Sequence, residues 1–93
     1  MKSLEECRKE IDEIDSQIIT LFERRMEVVK SVTQYKIDNN VKVLDSSREA
    51  IMLAKNLSKI HNDEYKQYYP DVLNGFLNAS KKMQSDIINK NQK

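Results

Sequence analysis

Apolar residues recur at alternating steps of three and four along the first third of the chain. They occupy Leu4, Cys7, Ile11, Ile14, Ile18, Leu21, Val28, Val32 and Tyr35. This spacing is that of a heptad repeat and predicts one continuous helix, with Ser3 and Glu6 placed to form a capping box at its start. We call this row of positions the heptad seam. Its one charged member is Arg25, which stands between Leu21 and Val28.

The predicted helix is long for a chain of 93 residues. About 35 helical residues span roughly 50 Å, whereas a compact domain of this size has a radius of gyration of about 12 Å. The helix must therefore protrude from the rest of the chain while its seam stays apolar to both ends. Since a second copy of the chain is the simplest cover for such a surface, the sequence predicts a homodimer.

Residues 37–44 read as a loop, with Asn39 and Asn40 at its turn. A second helix is predicted to open at Asp45 or Ser46, because an apolar stripe with helical spacing follows. The stripe consists of Ala50, Leu53, Ala54, Leu57 and Ile60.

A third helix is predicted to run to about Ile88, and residues 89–93 read as a frayed tail. Its start depends on Pro70. The helix begins at Asp63 if it accommodates the proline, or near Pro70 if the proline occupies the first turn. The fold class is therefore predicted as all-α, with three helices in a single domain that spans residues 1–93.

Composition narrows the functional classes. Lys and Arg total 16 against 15 Asp and Glu, so the net charge of +1 gives no general attraction to nucleic acid or to a membrane surface. The single Cys and single His exclude the common disulfide and metal-ligand patterns, and the single Gly excludes a glycine-rich phosphate loop. We expect a cytoplasmic protein without a metal or cofactor.

Four polar residues lie on faces that packing alone would make apolar. Arg25 interrupts the heptad seam, Lys36 projects along nearly the same line, and Ser80 and Gln84 fall on the apolar stripe of the last helix. Arg25 and Lys36 are about three turns apart, so their side chains can converge on one ligand. The alternative is that Arg25 pairs with a glutamate of a neighbouring helix or extends to solvent.

An ordered set of motifs carries a family resemblance. The set comprises Arg8-x-x-Ile11-Asp12-x-x-Asp15, Arg25, Lys36, Asp45-x-x-Arg48-Glu49 and Ser80-x-x-x-Gln84. In this order and spacing the chain resembles the small all-helical chorismate mutases from about Leu4 to Gln84. The resemblance implies an intertwined homodimer with two shared active sites. It also implies an isomerase that rearranges chorismate to prephenate on the route to phenylalanine and tyrosine.

The resemblance implies roles for the substrate's two carboxylates and its ether oxygen. Arg8 of one chain and Arg25 of the other would bind the carboxylates, and Ser80 would assist at the ring carboxylate. Lys36 and Gln84 would donate hydrogen bonds to the ether oxygen. These residue types suit a reaction that needs no nucleophile, metal or proton transfer, only a folded substrate and donors aimed at developing charge.

By the same resemblance, Glu49 and the backbone near Asp45 would hold the ring hydroxyl, and Arg48 would brace that corner.

Two alternative functions stay open. An isochorismate-pyruvate lyase shares the fold and the basic residues, although Asp45 and Glu49 favour the mutase. A non-catalytic helical dimerisation module would explain the heptad seam but not the four polar residues. The sequence does not tell whether another enzyme of the pathway binds this chain.

Overall fold

The computed structural model describes residues 2–43 and 46–91 of the chain. In that part all regular structure is helical, which confirms the predicted all-α class. The elements in chain order are α1 (Leu4–Asp38), α2 (Ser46–Leu57), α3 (Asp63–Lys66) and α4 (Tyr69–Asn91). The described part therefore contains four helices, and the predicted count of three was wrong.

The long first helix begins where predicted, but it runs to Asp38, two residues into the segment 37–44 that was predicted as a loop. Ser3 precedes α1 in an extended conformation, and its hydroxyl accepts a hydrogen bond from the Glu6 amide at 3.1 Å. At the other end Asn40 adopts a positive φ of 57°, which an asparagine tolerates better than most residues. The Val41 amide then donates to the Lys36 carbonyl at 2.8 Å and closes the last turn.

The additional helix results from Pro70. A proline lacks an amide hydrogen and its ring clashes with the carbonyl four residues earlier, here that of Lys66. Accordingly α3 ends at Lys66, and Pro70 lies in the first turn of α4, where it is tolerated. Asn62 caps α3 by accepting from the Glu64 amide. Within α3, the hydrogen bond and positive charge of Lys66 lower the pKa of the exposed Asp63 carboxyl.

The second half of α1 packs against α4, and α2 packs beside them. The Phe22 and Phe76 rings stack with centroids 6.4 Å apart. Leu73 is 2% exposed and Thr33 is fully buried, with its hydroxyl donating to the Val29 carbonyl at 2.7 Å. At its far end α4 continues to Asn91, so residues 89–91 belong to the helix. Residues 92–93 lie outside the described part.

The first half of α1 protrudes from this packed region. The chain measures 57 × 25 × 15 Å, and its radius of gyration of 16.8 Å exceeds the roughly 12 Å of a compact domain. Five of the apolar seam residues of this half, Leu4, Ile11, Ile14, Ile18 and Leu21, are between 45% and 66% exposed. A continuous apolar row of this length is unusual on an isolated chain. No helix among the described residues combines the length and hydropathy needed to cross a membrane.

Candidate active site

A cavity of about 270 Å³ opens between α1, α2 and α4. We call it the basic cavity. Its lining consists of Arg25, Val28, Val29, Val32, Lys36, Val43, Arg48, Glu49, Met52, Leu77, Ser80, Lys81 and Gln84. The volume is near the lower end for small-molecule sites, and valines, a leucine and a methionine surround a few polar groups, as is typical of such sites.

Arg25 is held in place from three directions. One guanidinium nitrogen donates to the Ser80 hydroxyl oxygen at 2.8 Å, and a second lies 3.6 Å from the Met52 sulfur. The guanidinium carbon is 5.7 Å from the centroid of the Phe76 ring, close enough for a cation–π interaction. Ser80, 5% exposed, donates its own proton to the Phe76 carbonyl at 2.9 Å. The oxygen of Ser80 therefore accepts from Arg25, and the guanidinium is fixed before any ligand binds.

Lys36 and Gln84 line the basic cavity from two different helices. Lys36 lies in the last turn of α1, where its ammonium group is 3.4 Å from the Val43 carbonyl oxygen. Gln84 lies one turn after Ser80 on α4 and is half-buried. Both side chains are hydrogen-bond donors, so the cavity offers a ligand donors from two helices.

The start of α2 contributes Arg48 and Glu49 to the basic cavity. Glu49 forms an ion pair with Lys81 of α4, with 2.6 Å between the carboxylate oxygen and the ammonium nitrogen. Arg48 is exposed on the same side. Among the described lining residues there are thus four cations and one carboxylate. An excess of positive charge in a partly apolar cavity favours an anionic ligand.

Two residues proposed from the sequence are not among the described residues that line this cavity. Arg8 is exposed near the start of α1, 17 residues before Arg25, and does not line the cavity. Asp45 lies outside the described residues. Across residues 2–43 and 46–91, no cluster of three or more His, Cys, Asp or Glu side chains is arranged to hold a metal ion.

Three contacts were not foreseen from the sequence. Lys81 reads as one of many surface lysines, and only its pairing with Glu49 places it at the cavity. Met52 and Phe76 read as ordinary packing residues, although both contact the Arg25 guanidinium. A signal existed for Phe76: it lies four residues before Ser80, hence on the same face of α4. For Lys81 there was none.

Comparison with known proteins decides the family. Residues 7–85 match the model of the family described as chorismate mutase type II. The chain belongs to this family. It is 40% identical over 57 residues to the bifunctional chorismate mutase/prephenate dehydratase of Buchnera aphidicola, a match that covers 59% of the chain. It is 32% identical over 81 residues, or 86% of the chain, to the T-protein of Haemophilus influenzae.

The family match spans most of the chain, but these two relatives are much longer. The matched regions make up 15% of the Buchnera protein and 22% of the Haemophilus protein. No solved structure gave a significant match to the chain. In this chorismate mutase family member the matched segment includes every described residue that lines the basic cavity.

Proposed function

We propose that the chain is a chorismate mutase that converts chorismate to prephenate in the basic cavity, without a metal or cofactor. The observation that carries the proposal is the fixed Arg25 guanidinium, held by the buried Ser80 in a cavity that also contains Lys36 and Gln84. Membership of the family supports the same reaction. We also propose that the enzyme acts in the cytoplasm, in the synthesis of aromatic amino acids.

The first task of such a site is to fold a flexible substrate. Chorismate carries an enolpyruvyl arm that must lie over the ring before its ends can react, and holding that conformation removes much of the entropic barrier. The Arg25 guanidinium is a planar fork that suits a carboxylate better than a mobile ammonium group does. Because Ser80 and Phe76 already fix Arg25, little side-chain freedom is lost when the carboxylate binds.

The second task is to stabilise charge that appears during the reaction. Negative charge grows on the ether oxygen as its bond to the ring breaks, and donors already aimed at that oxygen lower the barrier. Lys36 and Gln84 fill this role in the proposal, one from the end of α1 and one from α4. Lys36 makes one described hydrogen bond, to the Val43 carbonyl at 3.4 Å, and an ammonium group has three donors, which leaves donors for the substrate.

The third task is to orient the ring. In the proposal the Glu49 carboxylate accepts a hydrogen bond from the ring hydroxyl, and Arg48 braces the same corner. Glu49 reaches the cavity from the first turn of α2. The backbone of Asp45, assigned to the same corner by the family resemblance, lies outside the described residues.

Mixing the purified protein with chorismate tests the proposal. We expect the absorbance of chorismate to fall and prephenate to form. Isochorismate is assayed in parallel. Turnover of isochorismate alone would identify a lyase, and turnover of neither compound would favour a binding or dimerisation module.

Gln84→Glu provides a test of the donor at the ether oxygen. A neutral amide donates at any ordinary pH, whereas a carboxylate donates only after it has been protonated. We therefore expect the variant to be poorly active at neutral pH and to regain activity as the pH falls, while wild type shows no such rise. The measurement is kcat/KM between pH 5 and pH 8. Wild-type activity of Gln84→Glu at pH 8 would place Gln84 away from the ether oxygen.

We further propose an intertwined homodimer in which each active site receives Arg8 from the partner. Arg8 and Arg25 are 17 residues apart on α1, which is roughly 25 Å along the axis. One helix cannot present both side chains to one small substrate, but two antiparallel helices can. The exposed first half of the heptad seam supports the same arrangement, since a second copy of α1 would cover it.

Ile14→Glu tests this dimer. Ile14 is 53% exposed in the chain and belongs to the heptad seam, so in the dimer its replacement buries an unpaired charge. We expect light scattering to give the mass of two chains for wild type and of one chain for Ile14→Glu. Ser16→Glu is the matched control, because Ser16 is exposed and lies roughly 160° around the helix from Ile14. An Ile14→Glu protein that keeps the wild-type mass would contradict the proposed interface.

A further inference from the structure

The ion pair between Glu49 and Lys81 joins α2 to α4 at the basic cavity. The ammonium nitrogen is 2.6 Å from the carboxylate oxygen, and the side chains of Lys81 and Glu49 are 44% and 27% exposed. Lys81 directly follows Ser80, which is buried and hydrogen-bonded to both Phe76 and Arg25. These contacts of Ser80 therefore anchor the backbone from which Lys81 extends.

Glu49 creates an electrostatic difficulty for the proposed substrate. It is the one carboxylate among the described residues that line the basic cavity, and chorismate carries two carboxylates of its own. Like charges that meet in a partly desolvated site repel one another. A cation in direct contact with Glu49 offsets this repulsion. The same contact restricts the rotamers of Glu49, which would otherwise be a long side chain with three rotatable bonds.

On the basis of the proposed function, we infer that Lys81 is a positioning residue for Glu49. Its ammonium group holds the carboxylate toward the ring hydroxyl and neutralises it. Glu49 can then accept the hydroxyl's hydrogen bond without repelling the carboxylates of the substrate. Lys81 acts through Glu49 in this scheme and does not touch the reacting atoms.

Lys81→Met removes the charge and keeps most of the aliphatic side chain. The carboxylates and the hydroxyl of the substrate are the same in the ground state and the transition state, so losing this support weakens both equally. We expect KM to rise on the order of 5-fold, the size of effect that a half-exposed ion pair allows, with kcat nearly unchanged. Lys81→Arg should restore most of the affinity. Lys82→Met is the control, because Lys82 is exposed and does not line the cavity.

A double-mutant cycle with Glu49→Gln separates an indirect role from a direct one. If Lys81 acts through Glu49, adding Lys81→Met to Glu49→Gln should raise KM no further, because the partner charge is already gone. A 5-fold rise that persists in the Glu49→Gln background would mean that Lys81 contacts the substrate itself. That result overturns the inference, as does an unchanged KM in Lys81→Met alone.

A measurement on the free protein distinguishes failure of this inference from failure of the proposed function. The carbon NMR signal of the Glu49 side-chain carboxyl should move in Lys81→Met and stay in place in Lys82→Met. An unmoved signal in Lys81→Met overturns the inference even when the enzyme is active. If the signal moves but the wild-type protein does not convert chorismate, the ion pair stands and the proposed function fails.

Discussion

Replacing Lys36 by alanine is expected to lower kcat/KM for chorismate by about 100-fold or more, the usual cost of removing one preorganised donor to developing charge. Lys36 is the one ammonium group assigned to the ether oxygen, and Gln84 alone would then face the charge. The fold should survive, because the only described hydrogen bond of the Lys36 side chain is a long one of 3.4 Å to Val43.

The control for this prediction is Lys30→Ala. Lys30 lies on the same helix, is exposed and does not line the basic cavity, so its removal should leave kcat/KM within about 2-fold of wild type, as is usual for surface changes. Circular dichroism of both variants reports on the helices independently of activity. A folded and fully active Lys36→Ala protein would show that Lys36 does not donate to the ether oxygen.

Arg8→Ala and Arg25→Ala are each expected to be nearly inactive, and to regain activity when they are unfolded together and refolded as a mixture. In the proposed dimer each site takes Arg25 from one chain and Arg8 from the other. A mixed dimer therefore has one site with both lesions and one intact site. Since random pairing makes half the dimers mixed, about a quarter of wild-type activity should return.

Each variant refolded by itself is the control for the mixing experiment, and a size tag on one chain measures the fraction of mixed dimers. Arg25→Ala also loses the contacts to Ser80 and Phe76, so its helix content is checked first. A remixed sample that stays inactive although mixed dimers have formed contradicts the shared site. Activity in Arg8→Ala alone would instead remove Arg8 from the site.

The features of the fold that follow from local pattern were predictable from the sequence. The heptad seam and Ser3 determine where α1 begins and that it is one continuous helix, since spacing and capping are properties of neighbouring residues. The break before α4 was left open because Pro70 is compatible with either a kinked helix or a new first turn. The clash between the Pro70 ring and the Lys66 carbonyl disfavours a continuous helix, and α3 ends at Lys66.

The candidate site was predictable where a polar residue interrupts an apolar face. Arg25 and Ser80 stand out in this way, and the structure joins them by a hydrogen bond. Lys81 does not stand out, because a lysine on a helix is usually solvated and its partner Glu49 is 32 residues away in sequence. Pairing of that kind depends on how α2 and α4 pack, which no local pattern reveals.

The uninterrupted length of α1 has a consequence for how this sequence can change over evolution. The helix is continuous between Arg8 and Arg25, so the number of residues between them fixes their separation and their relative direction. One inserted residue would advance one arginine by roughly 1.5 Å and turn it by about 100° relative to the other. In a dimer with shared sites, this displacement of one arginine relative to the other occurs in both active sites. A substitution along this stretch leaves the spacing of the two arginines unchanged, whereas an insertion or deletion alters it. Only a change of a whole heptad nearly preserves their relative direction.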